Sequence, residues 1–153
     1  MSTIPAAALD YLGTHHVMTL ATHGPDGPWA AAVFYVSDGA TLYFLSSPSS
    51  RHCRNLSNNP QVAVTIHEDY ADWPQIKGIQ AEGVAREISG DDERQARALY
   101  GAKYPVVGKL AQAPAAIVKA LAKVRWYRFE PQRMVFIDNT AGFGHRDEID
   151  CRE

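Results

Sequence analysis

Cysteine is scarce in this chain: Cys53 and Cys151 are the only two. They stand far apart and in no C-x-x-C pair, which excludes a disulfide framework or a zinc knuckle. Cys53 is expected as a small buried side chain in a short helix, and Cys151 as an exposed thiol in a polar tail. Charge of one sign is not in excess. Fifteen basic and 17 acidic residues, evenly spread, leave a net charge of −2, so no basic face is offered to nucleic acid or to anionic lipid. No run of about 18 apolar residues occurs, and MSTIPAAALDYLG has neither a cationic n-region nor an apolar run of signal length. The expectation is a cytoplasmic protein without nucleic-acid or membrane partners. No Ser-His-Asp, paired-carboxylate or Cys-His spacing stands out either, so no protein nucleophile is expected.

With 153 residues and 16.8 kDa, the length predicts a single domain over 1–153, with 139–153 as a C-terminal tail. That is small for a cleft holding two substrates, so a second copy is expected to complete any active site. No repeat, low-complexity stretch or linker divides the chain.

Thr3 is expected to cap a first helix, with Pro5 in its first turn and Gly13 at its end. Val17–Ala21 and Trp29–Val36 read as strands joined by HGPDGP, and Asp38-Gly39 turns into a third strand to Leu45. These turns are too short for a crossover, so the early strands form an antiparallel meander. Val62–Ile66 is a fourth strand. A long strand over Ile76–Ile88 follows, with bends expected at Gly78 and Gly83. Ser89 begins a helix that ends near Tyr104-Pro105, and further helical pieces are expected over 107–110 and 115–122. A last hairpin is predicted around Glu130-Pro131. The sum is an α+β, mainly β fold: a six-stranded antiparallel barrel with flanking helices.

The segment TLYFLSSPSSRHCRNLSNNPQVAVTIH, residues 41–67, sets hydroxyls and cations between two strands. A loop opening a helix presents free N–H groups and the positive end of the helix dipole to an anion. Ser50, Arg51 and His52 stand where a phosphate would sit. An ordinary capped turn fits the same spacing, since the glycine punctuation of a P-loop is absent. His15, His16 and His67 are not expected to hold a metal, because adjacent histidines in a strand point to opposite faces.

Over residues 5–140 the order helix, meander, S-S-x-S-S-R-H loop, short helix, N-N-P, strand and K-G-x-x-x-x-G strand resembles the FMN-binding split barrels related to pyridoxamine 5′-phosphate oxidase. The tail is similar to that of a small branch ending in D-N-T-x-G-F-G. The resemblance implies FMN as cofactor. Its ring would lie along Ala31, Ala32, Val33 and Phe34, its ribityl chain beside Ser46 and Ser47, and its phosphate on Ser50, Arg51 and His52. It also implies a homodimer with flavin sites at the subunit interface, where Trp73, Gln75 and Lys77 would approach the partner's flavin. Phe143, Gly144, His145 and Arg146 follow the last strand, and the Gly-x-Gly around Phe143 permits a tight turn about an aromatic, which is read as a lid over the flavin ahead of a floppy tail.

The second strand reads AAAVFYV and lacks the arginine and lysine with which the true oxidases hold flavin and substrate there. Oxidation of pyridoxamine phosphate is therefore not expected. The resemblance implies an FMN-dependent oxidoreductase that takes electrons from a nicotinamide nucleotide or another small reductant and passes them to an unknown acceptor. A flavin carrier or redox sensor without turnover stands as the alternative, and a haem- or deazaflavin-binding barrel as a further one.

Overall fold

The computed structural model describes residues 3–152; Met1, Ser2 and Glu153, at the ends of the expected 1–153 domain, lie outside the described residues. Alternating side chains build the strands. In β1 (Val17–Gly24) Met18, Leu20 and Thr22 are buried while Val17, Ala21 and His23 are exposed, the period of two that a half-buried strand requires. β2 (Gly27–Asp38) returns across Pro25-Asp26, with Gly24 opposite Gly27. β3 (Thr41–Ser46) pairs with the far end of β2. α2 (Arg51–Asn58), β4 (Gln61–His67) and β5 (Lys77–Glu87) come next. α3 (Gly90–Lys103), α4 (Pro105–Gly108) and α5 (Ala115–Leu121) precede β6 (Arg125–Asp138) and β7 (Arg146–Asp150).

The sheet order is β3-β2-β1-β4-β5-β6-β7, and β3 also pairs with β6. Six antiparallel strands thus close into the expected barrel, and β7 extends one edge. α1 (Ala6–Thr14) plugs one end with Ala8, Tyr11 and Leu12, and Tyr35 Oη donates to Leu12 O at 2.7 Å. α2 plugs the other with Cys53, Asn55 and Leu56, and Asn55 Nδ2 donates to Thr22 Oγ1 at 3.1 Å. Between the plugs lie Leu20, Phe44, Ile79 and Phe129, all fully buried; each contributes about 1.5–3 kcal/mol. α3 packs outside, where Ala96 and Tyr100 meet Val36, Tyr43 and Trp126. Among the described residues no helix is long and apolar enough to cross a membrane.

Thr3 does not cap α1: Pro5 occupies the cap position, and no side chain bonds there. The helix runs past Gly13 because Thr14 Oγ1 donates to Asp10 O and His15 Nδ1 bonds to Tyr11 O, so side chains take its last carbonyls. Gly78 is in regular register, opposite His67 and Ile137; the irregularity is at Glu82/Gly83 alone. The predicted hairpin around Glu130-Pro131 does not form, because β6 runs straight through it. Pro131 faces Gly83 where the register shifts, a position that tolerates a missing N–H. Nor is 139–153 a free tail. Ile149 of β7 is buried, and Cys151 packs half-buried against the core instead of lying exposed.

Candidate cofactor site

The loop from β3 into α2 is tied to itself. Ser50, the N-cap of α2, accepts from Cys53 N at 3.3 Å and donates to Ser47 O at 2.7 Å, so its hydroxyl is committed to capping. Ser47 Oγ and Ser49 Oγ lie 2.8 Å apart. His52 Nε2 lies 2.7 Å from Ser46 Oγ, and burial pushes its imidazole below the ordinary range. At neutral pH His52 is thus uncharged, and Arg51 supplies the loop's fixed positive charge. The Arg51 guanidinium carbon stands 4.3 Å over the Trp29 ring, and one Nη donates to Asp26 O at 3.1 Å. Its Nε is buried and has no hydrogen-bond partner among the described residues. A buried donor without an acceptor is costly, and an oxyanion that takes two parallel N–H donors, a carboxylate or a phosphate, is what the planar guanidinium fork matches.

Beside this loop the barrel is split. β2 pairs with β1 over Gly27–Phe34 and with β3 only over Tyr35–Asp38, which leaves, among the described residues, no strand on the other edge of Gly27–Phe34. The backbone of Ala31, Ala32, Val33 and Phe34 therefore borders the gap next to Ser46 and Ser47. Ala32 and Phe34 face outward, Phe34 with 57 % of its surface exposed, whereas Val33 points into the core. The Val33 side chain cannot meet a ligand on the outer face; only its backbone can. Alternation with Tyr35 carries that information.

Trp73, Gln75 and Lys77 are not with the loop. Lys77 sits beside His67 and Asp138, at the Val17 end of β1, while Arg51 reaches past the Gly24 end. Along the eight residues of β1 those ends are roughly 20 Å apart. Between them, on the outer face, a groove of about 380 Å³ is lined by Thr19, Ala21, Ala63, Thr65, Gln80 and Val135. It does not reach the Arg51 loop. His15 is bonded to Glu68 Oε2 at 2.7 Å, and among the described residues no group of three or more His, Cys, Asp or Glu is placed to hold a metal.

Asp26 and Trp29 escape the reading from sequence, which treated them only as a turn and a strand start. No local signal marks them, because their contact with Arg51 forms only where the β1–β2 hairpin meets α2 in the closed barrel.

Residues 4–140 match the family described as Pyridoxamine 5′-phosphate oxidase. The UPF0306 protein of Photorhabdus laumondii is 33% identical over 138 residues, covering 89% of this chain and 88% of that one. Among solved structures, a heme binding protein from Mycobacterium smegmatis is 25% identical with a TM-score of 0.72, over 97% of this chain and 59% of that one. HutZ, the heme storage protein of Vibrio cholerae, is similar with a TM-score of 0.65 at 23% identity, over 82% and 87%. With its closed six-stranded barrel and a match over nearly its whole length, the chain belongs to the pyridoxamine 5′-phosphate oxidase family.

Proposed function

We propose that the protein binds FMN and works as an FMN-dependent oxidoreductase whose sites are shared between two copies. The observation that carries this reading is Arg51: its guanidinium is held by Trp29 and the Asp26 carbonyl, and its buried Nε lacks an acceptor. A flavin phosphate, close to dianionic, supplies that acceptor. Ser47 and the first-turn N–H groups of α2 complete the cradle, and the ring would run along the strand-free edge of Ala31–Phe34. When bound, FMN would supply hydride acceptance and release; the protein's part is to orient it and exclude water.

Distance supports the second copy in this reading. Trp73, Gln75 and Lys77 stand at the far end of the barrel, so they reach a flavin only on another chain. A two-fold axis across the strands would set each Lys77 end against a partner's Arg51 end, with the grooved faces of β1 and β4 between them. A nicotinamide nucleotide is the proposed reductant. The outer face of β2 carries Ala30, Ala32 and Phe34 with no cation, which argues against pyridoxamine phosphate as substrate.

The absorption spectrum of the purified protein, followed by NADH or NADPH addition, tests this. Flavin bands that bleach with either nucleotide and recover with an acceptor are expected. Bands inert to both would make the protein a carrier or sensor. A second reading, haem binding, is favoured by the two similar structures named as haem proteins; a Soret band in place of flavin bands would establish it.

A further inference from the structure

We infer that Tyr104 is a positioning residue for the flavin ring: it pins the point where β2 passes from β1 to β3 and braces the Phe34 ring beside the strand-free edge. This rests on the FMN reading above. Tyr104 owes its place to its neighbours in sequence. It closes α3, its N–H donating to Tyr100 O at 2.8 Å, and the proline that follows disfavours a further helical residue, so its backbone leaves the helix with φ of −122 and ψ of 89. The side chain then crosses to the barrel. Its Oη donates to Tyr35 O at 2.6 Å and, more weakly, to His16 O at 3.1 Å. Burial pushes the phenol above its ordinary pKa, so it stays a donor.

Those two carbonyls mark the split in the barrel. The β1–β2 ladder ends at Val17 opposite Phe34, Tyr35 N donates to His16 O at 2.9 Å, and Tyr35 is the first residue of β2 to pair with β3, opposite Phe44. Lys103, one residue before Tyr104, donates to His15 O, so the end of α3 holds three carbonyls at this junction. The Tyr104 ring also meets two others edge to face: Phe34, with centroids 5.7 Å apart at 66°, and His16, at 6.0 Å and 65°. Phe34 is 57 % exposed and yet braced on one side. It stands on the outer face at the end of the Gly27–Phe34 edge along which the flavin ring would lie. Tyr104 thus fixes, before any ligand arrives, the aromatic surface that the ring would meet there, and a surface already ordered costs less to bind.

The test is a double-mutant cycle read on flavin binding. Wild type, Tyr104→Phe, Phe34→Ala and the double variant are titrated with FMN and with riboflavin, which lacks the phosphate, and the visible circular dichroism of the bound flavin is recorded. Tyr104→Phe keeps the ring and removes both hydrogen bonds. Each single variant is expected to weaken both flavins about three- to tenfold, the scale of one aromatic contact, and to change the dichroism. Because Tyr104 acts through Phe34, the double variant binds no more weakly than Phe34→Ala alone. Arg51→Ala weakens FMN alone, which separates the ring from the phosphate. Urea midpoints are measured alongside: a lower midpoint in Tyr104→Phe with wild-type flavin affinity and dichroism makes the role structural and overturns the proposal. Additive losses in the double variant overturn it too. So does unchanged binding in Phe34→Ala, an exposed position that reports on this surface even if Tyr104→Phe folds poorly. Each of these results leaves the FMN reading standing. A wild-type protein that takes up neither flavin overturns both.

Discussion

Arg51 lies with its guanidinium carbon 4.3 Å over the ring of Trp29, and that stacking holds a cation at the open seam of the barrel before any ligand arrives. The two come from different elements: Trp29 is the third residue of β2, and Arg51 opens α2. Cation–π stacking of this kind is worth about 0.5–2 kcal/mol, and it removes rotamer freedom that a ligand would otherwise have to restrict.

Arg51→Ala is expected to weaken FMN binding by about 1–3 kcal/mol, the range of a charged hydrogen bond. Arg51→Lys recovers only part of it, since an ammonium neither stacks on Trp29 in the same way nor donates as a fork. Fluorescence titration checks both. Unchanged affinity in Arg51→Ala would remove the phosphate from this loop.

His52 makes stability depend on pH. Burial holds its folded-state pKa below the ordinary histidine value, so protonation favours the unfolded chain. Its stabilising contribution is complete above about pH 6.5 and is lost as pH falls from there through the lower folded value. In His52→Asn, thermal melts between pH 7.5 and 5 should show a shallower decline than in wild type. Parallel declines would count against a buried, neutral His52.

The barrel was legible because its turns are short and its strands alternate; Pro25-Asp26 and Gly39-Ala40 leave no room for anything but hairpins. Pro131 misled for a physical reason. A proline usually ends a strand, but here it meets Gly83 at a register shift, and that pairing lies 48 residues away in sequence. β7 was hidden likewise, since RDEID is polar and becomes a strand only through the edge that β6 offers. Of the site, the Ser50–His52 loop could be read locally. Trp29 and Asp26 could not, because each acts through a contact that only the closed barrel creates.

Lys103 is a second titrating group that burial perturbs. Its Nζ donates to His15 O and stands 4.4 Å over the Tyr35 ring, and burial pushes its pKa down to about 8. The neutral amine is favoured in the fold, so stability from this group rises as pH climbs from about 8 towards the ordinary lysine value of 10.5. Lys103→Met should therefore gain most on wild type near pH 7 and least near pH 10. In ¹³C spectra of the reductively methylated protein, one lysine titrating near pH 8 and missing from the variant would confirm the assignment; ordinary titration of all lysines would refute it.

Gly83 carries the seam between β5 and β6. A Cβ there would stand 2.1 Å from Glu130 O and 2.8 Å from Pro131 Cα, both backbone atoms of β6, which is paired to β3 just before this point and to β7 just after it. Neither can yield without opening the register shift on which β6 depends. Gly83→Ala is expected to cost about 3 kcal/mol, the upper end of overpacking, read as a lower urea midpoint with an unchanged slope. Gly13 makes the control: it lies inside α1, and nothing stands within 4 Å of its added Cβ. There the gain in helix propensity should dominate, and Gly13→Ala should stabilise the protein by about 0.5–1 kcal/mol. Equal effects of the two substitutions would mean that the close approach at Gly83 relaxes freely, and β6 would then not owe its continuity to that glycine.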